Sequence, residues 1–479
     1  MTNEIIKKNR KVFFVNSIFA NLYIFLSLPL LTSTLSKNDF AIYSLLSHFA
    51  ILSSFILVNF FTKGLLKYWN DLNPSKRKQM IGTIFYSLLF FIFIFDIFFF
   101  FQGEFILKQI YPVLVDVSSD IIYIMIFWLS ILAIKSFFFS FIKVIENPKL
   151  ILIYNVILSI LLLTGFLYLY FHNTISLANV IFIFFISEFL PTFLIFILLK
   201  KYIALFFSLN LLKKFFQFSF SLIGASFIFI LFLNVDKVIL AHFFELDIVA
   251  SYSVALTLSA ALGILLTINW SAYGPRLKKE FSLGNYNLAK KTLNYYFHEI
   301  LLQLIISFLL VIFCLKLIFV ILAPGYYEPK TIYFFLILCC IHIFRFPTLV
   351  CEQILFNFDR NHSILIYKAI LFFIFLIIVY PLISLINFYA IPFSYVFSYI
   401  LLFCFMYLDI KKYKFLRIDS KKVKIPLSIL LLFLLIEFLS IFLNTDTFFW
   451  IFKVIQFILL TASCSLYYLW FNSRKFNED

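Results

Sequence analysis

Five basic side chains lie inside long apolar runs of this chain: Lys135, Lys237, Lys316, Arg345 and Lys453. Four carboxylates do the same: Asp96, Glu188, Asp236 and Glu437. A charge at the centre of a bilayer costs about 2.5–3.5 kcal/mol on insertion scales, so such groups face a protein interior or a wet cavity. The sharpest case is Phe218 to Phe244, FSFSLIGASFIFILFLNVDKVILAHFF. It is long enough to cross a bilayer as a helix, which takes roughly 20 residues. Asp236 and Lys237 are neighbours inside it, about 100° apart around a helix, and cannot neutralise each other face to face. Each needs a partner or water from other helices. A bundle enclosing a polar cavity is expected, and the function concerns what enters that cavity.

Depth and residue type separate the candidates. Lys316 and Lys453 lie roughly two turns from a span end, where a lysine reaches the interface by snorkelling. Lys135 lies about seven residues from the end of its span; it can snorkel or turn inward. Arg345 is similarly deep, and a guanidinium is hard to bury without a partner and matches phosphate geometry. Lys237, Arg345 and Lys135 are therefore the candidates for a path taken by an anionic group. Glu188, three residues before the helix-disturbing Pro191, and Asp236 have two readings. A carboxylate in a low-dielectric cavity can exchange a proton, or a sodium ion, as the cavity alternates. It can equally tie helices together by pairing with Lys237, Lys135 or Arg345. Asp96 and Glu437, within about six residues of a span end, are less informative.

The elements that must hold these groups follow from composition. With 64% hydrophobic and 13% charged residues in 479, the chain is an integral membrane protein. Hydropathy and polar breaks give about fourteen spans. They lie near 11–33, 40–62, 81–101, 119–142, 150–170, 178–199, 218–241, 248–272, 299–322, 331–351, 363–385, 390–409, 426–443 and 448–471. Of the 39 Lys and Arg, only Lys37, Lys108 and Lys330 fall between spans on one face. Apart from the five inside spans, the others, Arg360 and Lys368 included, fall on the opposite face. The positive-inside rule makes that face cytoplasmic, with both termini inside. The formal charge of +16 thus meets anionic inner-leaflet lipid, and nucleic acid is not an expected partner. The apolar run after Lys7, Lys8, Arg10 and Lys11 is too long for a cleaved signal peptide and reads as a first membrane helix.

Several chemistries find no support. The outer loops are short, the longest near 102–118, leaving no room for a catalytic domain. No P-loop or Gly-rich phosphate cradle is present, so ATP hydrolysis is not expected. The six His show no i,i+4 pairing, so no zinc site is indicated, and no cofactor is expected. Cys314, Cys339, Cys340, Cys351, Cys404 and Cys464 lie in or beside apolar runs and read as free thiols. Loops 201–216 and 276–298, with apolar residues among Lys pairs, read as amphipathic interfacial helices. Pro29, Pro191, Pro347, Pro381 and Pro392 interrupt spans, and Trp69, Tyr111 and Trp450 read as interface anchors.

The chain also resembles itself. Asn147 to Tyr154 (NPKLILIY) resembles Asn361 to Tyr367 (NHSILIY), and each is followed by two spans ending in Lys-Lys-Tyr, at 200–202 and 411–413. Ala41-Ile42-Tyr43-Ser44 resembles Ala250-Ser251-Tyr252-Ser253. These matches recur at nearly one offset and at the same place relative to the spans. Two like-oriented six-helix halves, 1–205 and 206–415, are expected, with two further helices in 416–479.

This plan, with NVDKVIL at Asn234–Leu240 and an Ala-x-Tyr-Ser step opening span eight, resembles polysaccharide flippases of the Wzx type. These are members of the MATE-like multidrug/oligosaccharidyl-lipid/polysaccharide exporter superfamily. The resemblance implies a MATE-like, all-α integral membrane fold in the bacterial cytoplasmic (inner) membrane. It implies transport, not enzymatic catalysis: movement of undecaprenyl-diphosphate-linked O-antigen or capsule repeat units to the outer leaflet by alternating access. An H+ or Na+ coupling ion is implied with it, and polysaccharide polymerase and chain-length proteins as partners. One rival is a small-molecule or drug exporter of the same fold, which predicts an acidic cavity dominated by Glu188 and Asp236. A polysaccharide polymerase or ligase is disfavoured by the short outer loops.

Overall fold

The computed structural model describes residues 26–416, apart from 70–72, 115, 116, 146, 173, 359 and 414, together with scattered positions between 428 and 463. The expected spans at 11–33, 426–443 and 448–471 fall wholly or largely outside the described residues. So do Glu437, Lys453, Trp450, Cys464 and the basic N-terminal residues.

The described residues form helices and no strands, as lipid demands of a backbone that must satisfy its own hydrogen bonds. After the end of a first helix, α1 (26–34), come α2 (Lys37–Tyr68), α3 (Pro74–Ile110), α4 (Ser119–Val144), α5 (Pro148–Phe171) and α6 (Leu177–Leu199). Then follow α7 (Leu209–Phe243), α8 (Leu246–Ser282), α9 (Tyr286–Phe313), the short α10 (Leu315–Leu322), α11 (Pro329–Asn357), α12 (Asn361–Ile386) and α13 (Ala390–Ile410). Ten of the eleven spans expected between residues 40 and 409 each fall on one of these helices, the eleventh, 299–322, falls on α9 and α10, and the fold is an all-helical membrane fold.

Local chemistry sets the starts. Ser36 caps α2 by accepting from the Asp39 amide, and Ser176 caps α6 through Asn179. Pro74, Pro148 and Pro329 open α3, α5 and α11, where a missing N–H costs nothing. Pro392 likewise falls in the first turn of α13 rather than in a helix interior.

Several helices outrun their apolar windows. The 276–298 segment forms no separate interfacial helix: α8 and α9 run through it and meet at a tight turn, where Gly284 has φ 72°. The expected 201–216 helix is in fact a short 3₁₀ turn at Lys200–Tyr202 and the first residues of α7. The expected span 299–322 is broken at Cys314 into α9 and α10. α8 and α9 run on because charged and polar residues remain good helix formers where the chain leaves the apolar layer. With α3 reaching Ile110, Asp96 lies about 20 Å from that end. It accepts a hydrogen bond from Ser130 at 2.7 Å. Lys316, on α10, is exposed. Tyr111 is 3% exposed, so it is a packed residue and not an interface anchor. Burial, reinforced by the Asp236 charge, raises its phenol above the ordinary range.

The chain divides into two compact units. The first holds the described residues through Ser253 together with Asn361–Ile377. The second holds Val254–Arg360 and the described residues from Ile378 on. In the first, α4 packs closely on α2 and α6; in the second, α11 packs closely on α13. Their buried faces keep a common register. The buried positions Ile122, Met125, Ala133 and Phe141 of α4 recur 210 residues later as buried Ile332, Phe335, Ile343 and Cys351 of α11. Phe184, Ser187, Ile195 and Leu199 of α6 recur 211 residues later as buried Tyr395, Ser398, Met406 and Ile410 of α13.

Candidate functional site

The five candidate residues are divided among three polar clusters. Asp236 and Lys237 lie near the end of α7, 2% and 8% exposed. As adjacent helical residues they diverge, and different helices answer them. The Lys237 ammonium donates to the Ser44 hydroxyl of α2 at 2.9 Å and lies 3.4 Å from the Ser44 carbonyl. Asp236 accepts from the Tyr252 hydroxyl of α8 at 2.6 Å and from the Lys237 amide at 2.8 Å. Ser44 and Tyr252 belong to the two repeated Ala-x-Tyr-Ser steps, so both copies of that step converge on one charged dipeptide. His48 lies one turn along α2 from Ser44, and its Nδ1 is buried and, among the described residues, unbonded. The cluster binds α2, α7 and α8 together inside the first unit.

Lys135 and Glu188 meet in the same unit, across α4 and α6. Their N–O distance is 2.7 Å, with side chains 17% and 5% exposed. Glu188 also accepts from the Tyr154 hydroxyl of α5. That hydroxyl lies 3.4 Å from Thr192. The Lys135 ammonium sits 5.3 Å from the Tyr154 ring centroid and 5.8 Å from that of Phe139. Lys135 thus turns inward and is compensated by charge, hydrogen bonding and aromatic faces. An adjoining apolar hollow of about 190 Å³, with Phe138, Phe189 and Phe193 among its walls, flanks the pair.

Arg345 is in the second unit, on α11. Helix α11 runs on to Asn357, so Arg345 lies about 18 Å from that end, deeper than the apolar window implies. It lines a cavity of about 250 Å³. Arg345, Leu349 and Gln353 recur at four-residue spacing and present one face of α11 to the cavity. Gly263 and Leu266 of α8, Tyr296 of α9 and Val350 complete the lining. Gly263 allows close approach: a Cβ there would come within 3.0 Å of the His342 imidazole. Tyr296 is held edge-on to Phe346 at 5.5 Å and tilted against Tyr273 at 5.0 Å. A guanidinium, an amide and a phenol therefore converge in a hollow with apolar walls, an arrangement suited to orienting a polar, anionic solute.

The structure also places groups that sequence reasoning passed over. Tyr154, Ser44 and Tyr252 stand in the self-similar segments, and that recurrence was their available signal. Gln353 had none beyond its helical spacing from Arg345, and Tyr296, on α9, had none. Lys368, counted on the cytoplasmic face, is 9% exposed on α12, with its ammonium 3.9 Å from the Phe229 ring centroid. Among the described residues, Cys314, Cys339, Cys340, Cys351 and Cys404 are free thiols.

No protein-family model and no curated protein sequence matches this chain. Solved structures do match it. The lipid II flippase MurJ, in an inward closed conformation, aligns with a TM-score of 0.68, covering 97% of this chain and 99% of that one at 14% identity. An inward-facing MATE-family multidrug resistance transporter of the MOP superfamily aligns at 0.64, over 83% and 95% of the two chains, with 10% identity. The MATE multidrug transporter DinF-BH aligns at 0.62, over 86% and 96%, with 13% identity. The chain has the MATE-like fold that these proteins share, and its substrate must be argued from the site.

Proposed function

We propose that this protein is a flippase that carries a diphosphate-linked glycolipid, an undecaprenyl-diphosphate oligosaccharide repeat unit, across the bacterial cytoplasmic membrane. The observation that carries the reading is Arg345, a deep guanidinium lining a cavity with Gln353 and Tyr296. A diphosphate demands cationic, bidentate donors, and a sugar demands amide and phenol groups. The polyprenyl tail needs only lipid. The likeness to a lipid II flippase over nearly the whole of both chains supports a lipid-linked cargo.

The drug-exporter alternative predicts a cavity governed by Glu188 and Asp236. Here those carboxylates are engaged by Lys135 and Tyr154, and by Tyr252 and the Lys237 amide, while a guanidinium lines the cavity. Under this proposal Asp236, Lys237, Lys135 and Glu188 tie helices together, and Arg345 receives the cargo headgroup. Alternating access of the halves 1–205 and 206–415, with 416–479 appended and both termini cytoplasmic, belongs to the same proposal. So does the absence of enzymatic chemistry.

The test is export in cells. In a strain lacking its own copy, the wild-type chain should restore surface polysaccharide, and Arg345→Ala should not, at equal protein level in the membrane. Undiminished surface polysaccharide from Arg345→Ala would remove the cavity from the path.

A further inference from the structure

Where α2 ends and α3 begins, the first unit carries basic and aromatic side chains that the proposed function leaves unused. Arg77, in the first turn of α3, donates from Nε to the Trp69 carbonyl at 2.9 Å. Its guanidinium lies 4.9 Å from the centre of the Trp69 ring. Trp69 stands edge-on to Phe141 of α4 at 5.7 Å, and Phe141 stands edge-on to Tyr202 at 5.8 Å. The Lys201 ammonium lies 5.3 Å from the centre of the Tyr202 ring. A row of three rings thus has a cation at each end, held there by the ring faces. Beyond the turn the chain lies against α3. The Ala204 amide donates to the Lys78 carbonyl at 3.3 Å. A Cβ on Gly82 would overlap the Ala204 carbonyl oxygen, so this approach requires glycine. It brings the segment carrying Lys76 and Lys78 beside the one carrying Lys200 and Lys201, and all four side chains are exposed. Neither segment, 73–82 or 199–210, contains an Asp or Glu. Next to these charges, Leu205 is 93% exposed, Leu209 70% and Phe207 51%.

We infer that the start of α3 and the chain at 200–209 form a binding site for an anionic phospholipid. Two demands meet here that water and hydrocarbon each satisfy only by half. Exposed leucine and phenylalanine call for acyl chains, and exposed lysines a few residues away call for water or phosphate. The headgroup layer of a bilayer supplies both, and tryptophan and tyrosine settle at the same depth. A zwitterionic headgroup carries its own cation, which competes for its phosphate, whereas an anionic headgroup leaves a net charge for the protein to match. Each basic residue at such a surface favours anionic lipid by about fivefold. Arg77 and Lys201 lose little freedom on binding, since their ring contacts already orient them. A guanidinium takes a phosphate by two parallel bonds, and the lysines add point charges. Leu205, Phe207 and Leu209 then lie among acyl chains. The chain at 200–208 joins α6 to α7, so a lipid bound here holds that connection at the bilayer surface. The inference needs the membrane fold and these side chains, and it holds whatever cargo the protein carries.

Photo-crosslinking tests it. Full-length protein is placed in phosphatidylcholine nanodiscs that contain a minor share of a phosphatidylglycerol probe with a diazirine near its headgroup. A parallel sample carries the matching phosphatidylcholine probe, and labelled chymotryptic peptides are identified by mass spectrometry. In wild type, labelling of 74–82 and 200–209 by the glycerol probe should exceed that by the choline probe at least about tenfold. That is less than three independent cations would give, because salt screens them. The preference should shrink towards unity in about 1 M salt. The triple variant Lys78→Gln/Lys200→Gln/Lys201→Gln changes exposed positions only and should cut the ratio by about tenfold. Leu205→Gln/Phe207→Gln should lower labelling by both probes severalfold and keep the ratio. Millimolar inorganic phosphate should leave the labelling intact. Equal labelling by the two probes in wild type, a ratio that the triple variant does not move, or displacement by inorganic phosphate overturns the inference.

Discussion

Breaking the Lys135–Glu188 contact should have unequal consequences depending on which side is removed. Removing one member of a buried pair leaves an uncompensated charge and costs about 3–5 kcal/mol. In Lys135→Met the orphan is Glu188, whose side chain is 5% exposed and, among the described residues, retains the Tyr154 hydroxyl as its other side-chain donor. That loss should approach about 3 kcal/mol, the lower end of the range, because one hydrogen bond to the carboxylate survives. In Glu188→Gln the orphan is Lys135, whose side chain is 17% exposed and keeps the faces of Tyr154 and Phe139. Partial solvation and the aromatic faces should hold this loss to about 1–2 kcal/mol. The double variant should lose less than the sum, with a coupling of about 1–3 kcal/mol. Unfolding in mixed micelles, titrated with a denaturing detergent and followed by circular dichroism, gives all four stabilities. Additivity within about 0.5 kcal/mol, or a larger loss for Glu188→Gln than for Lys135→Met, would refute the assignment of this pair as a tie.

Other consequences are as specific. Tyr252→Phe removes the hydroxyl that donates to buried Asp236 at 2.6 Å and should cost about 1.5–3 kcal/mol, as hydrogen bonds to charged groups do. The same unfolding titration reads it, and an unchanged stability would mean that Asp236 does not depend on α8. Gly82→Ala drives a Cβ into the Ala204 carbonyl oxygen. It should cost about 1–3 kcal/mol and raise proteolysis of the segment after Lys200–Tyr202, whereas wild-type digestion kinetics would contradict this close approach. Gly263→Leu puts side-chain bulk into the Arg345 cavity beside His342. Transport should fall severalfold while expression holds, and unaltered transport would show that the cargo does not enter there.

How much of this was legible in the residues depends on the reach of each interaction. The eleven helices from α2 to α13, α10 aside, follow from runs of apolar side chains, a local property, and the resulting fold class is the one observed. Helix ends were less legible, because a lipid-length window stops at the first charges. The helix of Asp96, by contrast, continues to Ile110. That Asp236 and Lys237 must look to different helices followed from helical geometry, and Tyr252 and Ser44 answer them. That Lys135 would meet Glu188 was one of several pairings left open, since nothing local connects residues 53 apart in sequence. The 210-residue spacing at which buried positions of α4 and α11 recur was within reach, because the matching segments had already given offsets close to it. What could not be read is which of the two cations would stand in a cavity, since that depends on how α8, α9 and α11 pack around Gly263, Tyr296 and Arg345.

The most direct measurement is translocation of a fluorescent undecaprenyl-diphosphate oligosaccharide by the purified protein in proteoliposomes, scored by the fraction accessible to an impermeant quencher over time. The account predicts that wild-type protein equilibrates the lipid between leaflets, and that Arg345→Ala slows this by about tenfold or more, as expected when a charged recognition contact worth over 1.4 kcal/mol is lost. Equal rates for the two proteins, or no protein-dependent movement at all, would contradict it.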